Sequence, residues 1–260
     1  MIDLITSPSE PLTETPPALT WFPANLPSLN RRFSRLEPED VLNWGLTTFG
    51  QETAVATGFG PTGIILLHMM SLIRPQTKAF YLQTDLFFPE TLALRDKLAE
   101  QLDIEFIEVH SNLSLEDQSR QYGPNLWEHN PDLCCQLRKI NPMRQFLSDK
   151  KAWVTGLRRD QSPARANTEL VSWDSANHLL KLCPLAFWTR KQVWDYIFEH
   201  NLPYNELHDR GYPSIGCQPC TKPAELDSGD ERAGRWSGLA KTECGIHFHD
   251  GQIVRLAEVR

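Results

Sequence analysis

An α/β fold, a parallel twisted sheet with helices on both faces, is what this sequence predicts, and three observations carry the prediction. Short β-branched or aromatic runs alternate with longer apolar stretches at helical spacing between residues 53 and 200. At the first junction, Gly58-Phe-Gly60-Pro-Thr-Gly63 sets glycines between a strand and a helix. Hydrophobic residues make up 40% of the 260, enough to fill the core that a doubly covered sheet needs.

Residues 1–34 are expected to form a flexible leader. They contain Pro8, Pro11, Pro16, Pro17, Pro23 and Pro27, and the first thirty carry no Lys or Arg. That excludes both the charged start of a signal peptide and the Arg-rich helix of a transit peptide, and points to a cytoplasmic protein. Pro38-Glu-Asp-Val-Leu-Asn-Trp-Gly-Leu opens residues 35–202 as a helix whose acidic first turn suits the macrodipole. Strands follow at 53–57, 79–83, 104–109 and 152–155, with helices at 61–73, 89–101 and 132–149 between them. This is the βαβ series of a parallel sheet, which binds ligands at the carboxyl ends of its strands. A strand at 178–183 and an amphipathic helix at 189–200 complete the core. From 203 to 260 Pro, Gly, Asp and Cys dominate with little periodicity, so something other than apolar burial must fix that segment.

A net charge of −7 argues against broad binding to nucleic acid or to an acidic membrane, so an anionic ligand must be met by a local cluster of cations. The longest apolar run, Ile64 to Ile73, falls short of the ~20 residues that span a bilayer. The Gly58–Gly63 loop formally matches a dinucleotide fingerprint, with Asp85 at the end of the next strand, yet nothing else resembles a dehydrogenase. Glycines serving a tight turn are the better account.

Six cysteines without an export signal read as thiols or metal ligands rather than disulfides. Cys134-Cys135 and Cys217-x-x-Cys220 offer four thiolates, and the adjacent pair suits the multi-iron face of a cluster better than one tetrahedral zinc. A four-cysteine zinc site or four unrelated buried thiols are the alternatives. Cys244, in Lys241-Thr-Glu-Cys244-Gly-Ile-His247, sits on a Gly-flanked tail near a cation that stabilises thiolate. Arg158, Arg159 and Arg165 follow a strand end, and Arg232 and Arg235 follow the second cysteine pair. Together they make the expected anion site. Cys183 lies in an apolar strand as a small buried hydrophobe, and His247 and His249 read as tail histidines.

These cysteines, with Gly156-Leu-Arg158-Arg159-Asp160-Gln-Ser162-Pro-Ala-Arg165, Phe88-Pro89-Glu90-Thr91 and Glu231-Arg232-Ala-Gly234-Arg235-Trp236, resemble the assimilatory sulfonucleotide reductases. The resemblance covers roughly residues 35–250 and is greatest to the cluster-bearing adenosine 5′-phosphosulfate (APS) reductases. It implies an adenine nucleotide α-hydrolase-like fold and a [4Fe-4S] cluster on Cys134, Cys135, Cys217 and Cys220. It also implies Lys139 near cluster and substrate, and backbone contacts to the nucleotide at Gly58 and Gly60. Cys244 would take the sulfo group of APS and a thioredoxin-like dithiol would release sulfite. The 3′-phosphorylated substrate, PAPS, is the alternative, although relatives specific for it generally lack the two cysteine pairs. A tRNA-thiolating enzyme of the same fold would need Ser-Gly-Gly-x-Asp-Ser and a basic face, which are missing here; a zinc-stapled interaction module is the remaining rival. Two loops depart from the family pattern: Thr57-Gly58-Phe59-Gly60 replaces a Ser-rich loop, and Gln83-Thr84-Asp85 replaces Asp-Thr-Gly. Homo-oligomerisation is left open by the sequence.

Overall fold

A computed structural model describes residues 21–224 and 230–247. In chain order its helices and strands are α1 (Trp21–Phe33), α2 (Pro38–Phe49), β1 (Thr53–Ala56), α3 (Pro61–Ile73), β2 (Ala79–Gln83), α4 (Pro89–Leu102), β3 (Phe106–His110) and α5 (Leu115–Tyr122). Then come α6 (Leu126–His129), α7 (Pro131–Cys135), α8 (Asn141–Leu147), β4 (Ala152–Val154), β5 (Val171–Asp174), β6 (Leu179–Leu182) and α9 (Arg190–Glu199). The strands form one sheet in the order β3-β2-β1-β4-β6-β5, parallel except for β5 at the edge.

The core explains the order. Helix α3 is apolar almost all round, with Ile64, Ile65, Leu66 and Leu67 fully buried, because it lies between the sheet and helices α2, α4 and α9. A smaller cluster of Phe80, Val109, Met143, Leu147 and Trp153 closes the opposite face beneath α8. Both faces are therefore covered, as the alternating pattern predicts. No helix among the described residues is long and apolar enough to cross a membrane.

Three departures from the sequence reading have physical causes. The flexible leader assigned to residues 1–34 gives way from residue 21 to helix α1, which buries Phe22, Leu29 and Phe33. Asn30 there covers the sheet edge, donating from Nδ2 to the Val171 carbonyl at 2.7 Å and accepting from the Val171 N–H at 3.1 Å. Pro23 lies in the first turn, where a missing N–H costs nothing. Strand β5 escaped notice because it is four residues long and pairs with β6 through a turn in which Asp174 accepts from the N–H groups of Ala176 and Asn177. The helix expected over 132–149 is broken by a π turn at Gln136–Ile140, a feature often found at functional sites.

Candidate active site

The carboxyl ends of β1, β2 and β4 open into a cavity of about 190 Å³, walled by Ala56, Thr57 and Gly58 on one side and by Thr84, Lys139 and Cys217 on another. Arg232, Arg235, Cys244 and His247 close it. Six residues assigned to the site from the sequence thus meet around one space: Gly58, Lys139, Cys217, Arg232, Arg235 and Cys244; His247, expected on a solvated tail, is instead partly buried beside them and stacked on Trp153 with ring centroids 5.5 Å apart. His249 lies outside the described residues.

The two loops that depart from the family pattern are anchored by the residues that differ. Phe59 takes a left-handed backbone, φ 58°, and its buried ring packs edge-on against Tyr81, Phe87 and Phe106. Its N–H donates to Thr57 Oγ1 at 3.0 Å, which holds Gly58 toward the cavity. Asp85 is also left-handed, φ 59°, a conformation that Asp tolerates better than most residues. Its carboxylate accepts from Arg138 Nη1 at 2.9 Å.

Arg138 is a residue for which the sequence reading names no role. It is 1% exposed, and besides Asp85 it donates to Gln118 Oε1, the Thr84 carbonyl and the Leu113 carbonyl. It therefore ties the loops after β2 and β3 to the π turn, while its neighbour Lys139 faces the cavity. The charge pair in sequence divides into one structural cation and one site cation, and no spacing rule separates them.

The four paired cysteines come together from two directions. Cys134 and Cys135 end α7, which Asn130 caps by accepting from the Leu133 N–H at 3.1 Å. Cys217 is brought in by a one-residue bridge to Phe87, by the Gln218 N–H donating to the Leu86 carbonyl at 2.7 Å, and by Thr84 Oγ1 lying 3.3 Å from its sulfur. Cys134, Cys135 and Cys217 are buried and Cys220 is partly exposed. Burial pushes Cys134 up to about 11, with Cys217 and Cys220 adding to the shift, and pushes Cys135 up to about 12 despite Lys139. Burial opposes ionisation of Cys217 too, but Lys139, Thr84 and Arg235 outweigh it and hold that thiol below its ordinary value.

These thiols are near enough to feel one another's charge, yet no three His, Cys, Asp or Glu side chains among the described residues converge closely enough for one ion. A zinc ion with Zn–S bonds of about 2.3 Å would need sulfurs roughly 3.8 Å apart. A cluster spreads its thiolates over several irons, so soft ligands gathered loosely around a shared volume fit it better. Thiols pushed up by burial also need cations to stay ionised, and the irons of a cluster would supply them.

The predicted arginine set divides. Arg235 Nε is buried without a hydrogen-bond partner, and among the described residues neither Arg235 nor Lys139 has a carboxylate partner. A Cβ on Gly216 would collide with the Arg235 guanidinium, so that glycine makes room for it. Burial works against the charge of Lys139, but the thiols of Cys217, Cys135 and Cys244 hold its pKa above the ordinary value. Arg158 is buried against Asp160 and Glu231, both at 2.8 Å, and lines with Gly60 and Arg165 an adjoining recess rather than the cavity. Arg159 donates to the Thr168 carbonyl at 2.7 Å and lies 4.2 Å over the Phe187 ring, outside both. Arg165 and Arg232 are both paired with Glu243, which the sequence reading passed over although it adjoins Cys244. Cys183, the residue after β6, is 1% exposed, as a small hydrophobe would be.

A family model described as the phosphoadenosine phosphosulfate reductase domain matches residues 52–223. The adenosine 5′-phosphosulfate reductase of Salinibacter ruber is 52% identical over 230 residues, 88% of this chain and 91% of that protein. The phosphoadenosine 5′-phosphosulfate reductase of Gloeobacter violaceus is 46% identical over 239 residues, 91% of this chain and 99% of that one. Among solved structures, the phosphoadenylyl-sulfate reductase of Candida auris superposes with a TM-score of 0.66 at 31% identity, covering 75% of this chain and 95% of that chain.

Proposed function

This chain belongs to the phosphoadenosine phosphosulfate reductase family, and from that premise we propose that it reduces APS to sulfite and AMP in sulfate assimilation, with Cys244 as nucleophile and a thioredoxin-like dithiol as reductant. One observation carries the reading: Cys244 shares a cavity at the carboxyl edge of the sheet with Lys139 and Arg235, two cations that have no carboxylate partner among the described residues. The name and close similarity of the Salinibacter ruber relative support APS as the substrate.

The chemistry follows from the residues. The Cys244 thiolate attacks the sulfate sulfur of APS, the bond from that sulfur to the bridging phosphate oxygen breaks, and AMP leaves with the electron pair. Lys139 and Arg235 neutralise the charge that builds on the leaving phosphate and on the transferring sulfo group. The chain then carries Cys244-S-sulfonate. A reductant thiolate attacks the Cys244 sulfur and expels sulfite, and the second thiol of the dithiol frees Cys244 as the reductant becomes a disulfide.

Cys134, Cys135, Cys217 and Cys220 would hold a [4Fe-4S] cluster. When bound, it would fasten the loop-rich segment to α7 and supply an electrostatic counterpart to Lys139. Lys139, between the thiols and the cavity, keeps a proton and a positive charge facing the substrate. Six thiols and a thiol reductant call for a reducing compartment, so the reading sites the reaction in the cytoplasm.

Comparing kcat/KM for APS and PAPS with reduced thioredoxin tests the proposal. APS is expected to be the better substrate by a wide margin. Preference for PAPS, the substrate in the name of the Gloeobacter violaceus relative, would replace APS in this account.

A further inference from the structure

We propose that Glu243 docks the catalytic tail, its carboxylate filling an anion seat between Arg165 and Arg232, so that Arg165 serves turnover by positioning Cys244 and not by gripping substrate. The inference rests on the proposed function only in taking Cys244 as the working thiol.

Glu243 is 8% exposed, and its two carboxylate oxygens accept from Arg165 Nε at 2.6 Å and Nη2 at 2.8 Å, the fork geometry that makes such pairs strong. Arg232 Nη2 lies 3.2 Å from the same carboxylate and donates to the Thr242 carbonyl at 3.0 Å. Lys241, the residue before, pairs with Asp132 on the helix that carries Cys134 and Cys135. Three consecutive residues leading to Cys244 are thus each tied by a charged contact, to three different parts of the body. Burial works to raise the Glu243 pKa, but the Arg165 hydrogen bonds and the charges of Arg165, Arg232 and Arg235 hold it below the ordinary carboxylate value.

The seat is complete without substrate. Two neighbouring buried guanidiniums would repel each other if no carboxylate lay between them, and the tail itself brings that carboxylate. Lys139 and Arg235 remain for the phosphosulfate. Arg165 and Glu243 are positioning residues: they act through Cys244, whose placement they set.

The test uses the full-length, iron-loaded protein and trypsin cleavage after Lys241, with loss of residues 242–260 read by mass spectrometry. The Lys241 side chain is 7% exposed in the docked tail, so cleavage there follows the population in which the tail has left its seat. Glu243→Gln and Arg165→Gln are each expected to speed that cleavage roughly tenfold or more, and the double variant to be no faster than Glu243→Gln alone, because the tie that Arg165→Gln removes is already broken when Glu243 is neutral. Glu243→Asp, which keeps the charge, should recover part of the protection. In turnover, both single variants should lower kcat with little change in KM for APS. An Arg165→Gln protein that is cleaved at the wild-type rate and shows a raised KM would overturn the proposal, since Arg165 would then be a substrate contact.

If the variants fold poorly, the wild-type protein decides alone. Cleavage after Lys241 should be at least roughly tenfold slower than in a peptide of the same sequence, because the docked tail withholds that bond from the protease. A rate equal to that of the peptide would overturn the proposal. The cleavage results need no sulfonucleotide, so expected cleavage without APS turnover would leave the dock standing and remove the proposed function.

Discussion

The two halves of the site are held in opposite ways. The half built on the sheet, from Gly58 to Thr155, stands on β1, β2 and β4, whose strands and flanking helices bury Val55, Tyr81, Val154 and most of α3. The half delivered after residue 203 has no strand or helix longer than three residues among the described ones. Single polar pins fix it: the Phe87–Cys217 bridge, the Lys222 N–H donating to the Gly234 carbonyl at 2.9 Å, and the Trp236 N–H donating to the Cys220 carbonyl at 3.0 Å. Apolar burial makes the first half stable whatever ligand is present. The second half depends on charges and thiols, so its order and the chemistry share the same residues.

Substitutions should separate the halves, and the largest effect on turnover is expected at the thiols. Cys217→Ser should lose bound iron and activity together while the far-ultraviolet spectrum of the sheet body survives. Iron retained at the wild-type level would mean that the second half is held without the cluster. Next come the two cations that line the cavity without a carboxylate partner among the described residues. Arg235→Ala and Lys139→Ala each remove a charged contact of about 1.5 to 3 kcal/mol, roughly 10- to 150-fold in kcat/KM. Lys191→Ala, whose side chain is 82% exposed on α9, should match the wild type in the same assay. Wild-type kinetics at both Arg235→Ala and Lys139→Ala would place the phosphosulfate elsewhere.

The smallest effect on turnover, with a large one on stability, belongs to the apolar half. Leu66→Ala should cost about 2 to 5 kcal/mol in urea unfolding, because Leu66 is fully buried in α3. The kcat of the protein that remains folded should barely change. A fall in kcat comparable to that of Arg235→Ala would show that the two halves are not separable.

The same division explains what the sequence reveals. Helix α3 and strand β2 have the predicted bounds because hydrophobic period and flanking glycine or proline are local signals. The cysteine pairs and Cys244 stand out in the sequence because few residue types bind metal or attack sulfur, and the structure brings Cys217 and Cys244 to one cavity. The division among the arginines is not, since whether Arg158 meets a substrate or meets Asp160 and Glu231 depends on partners up to 73 positions away. Arg138 and Lys139 are neighbours in sequence and differ only in which side of a π turn they leave. Glu243 lay within a motif that had already been singled out, but its partner Arg165 is 78 positions distant.

The account stands most directly on where the sulfo group goes. The full-length, iron-loaded protein, incubated with APS and no reductant and weighed intact, is expected to gain one sulfo group, which peptide mapping places on Cys244. Reduced thioredoxin should then release it as sulfite. Cys244→Ser should keep its iron and form no adduct. An adduct on Cys183, or full turnover by the Ser variant, would contradict the account.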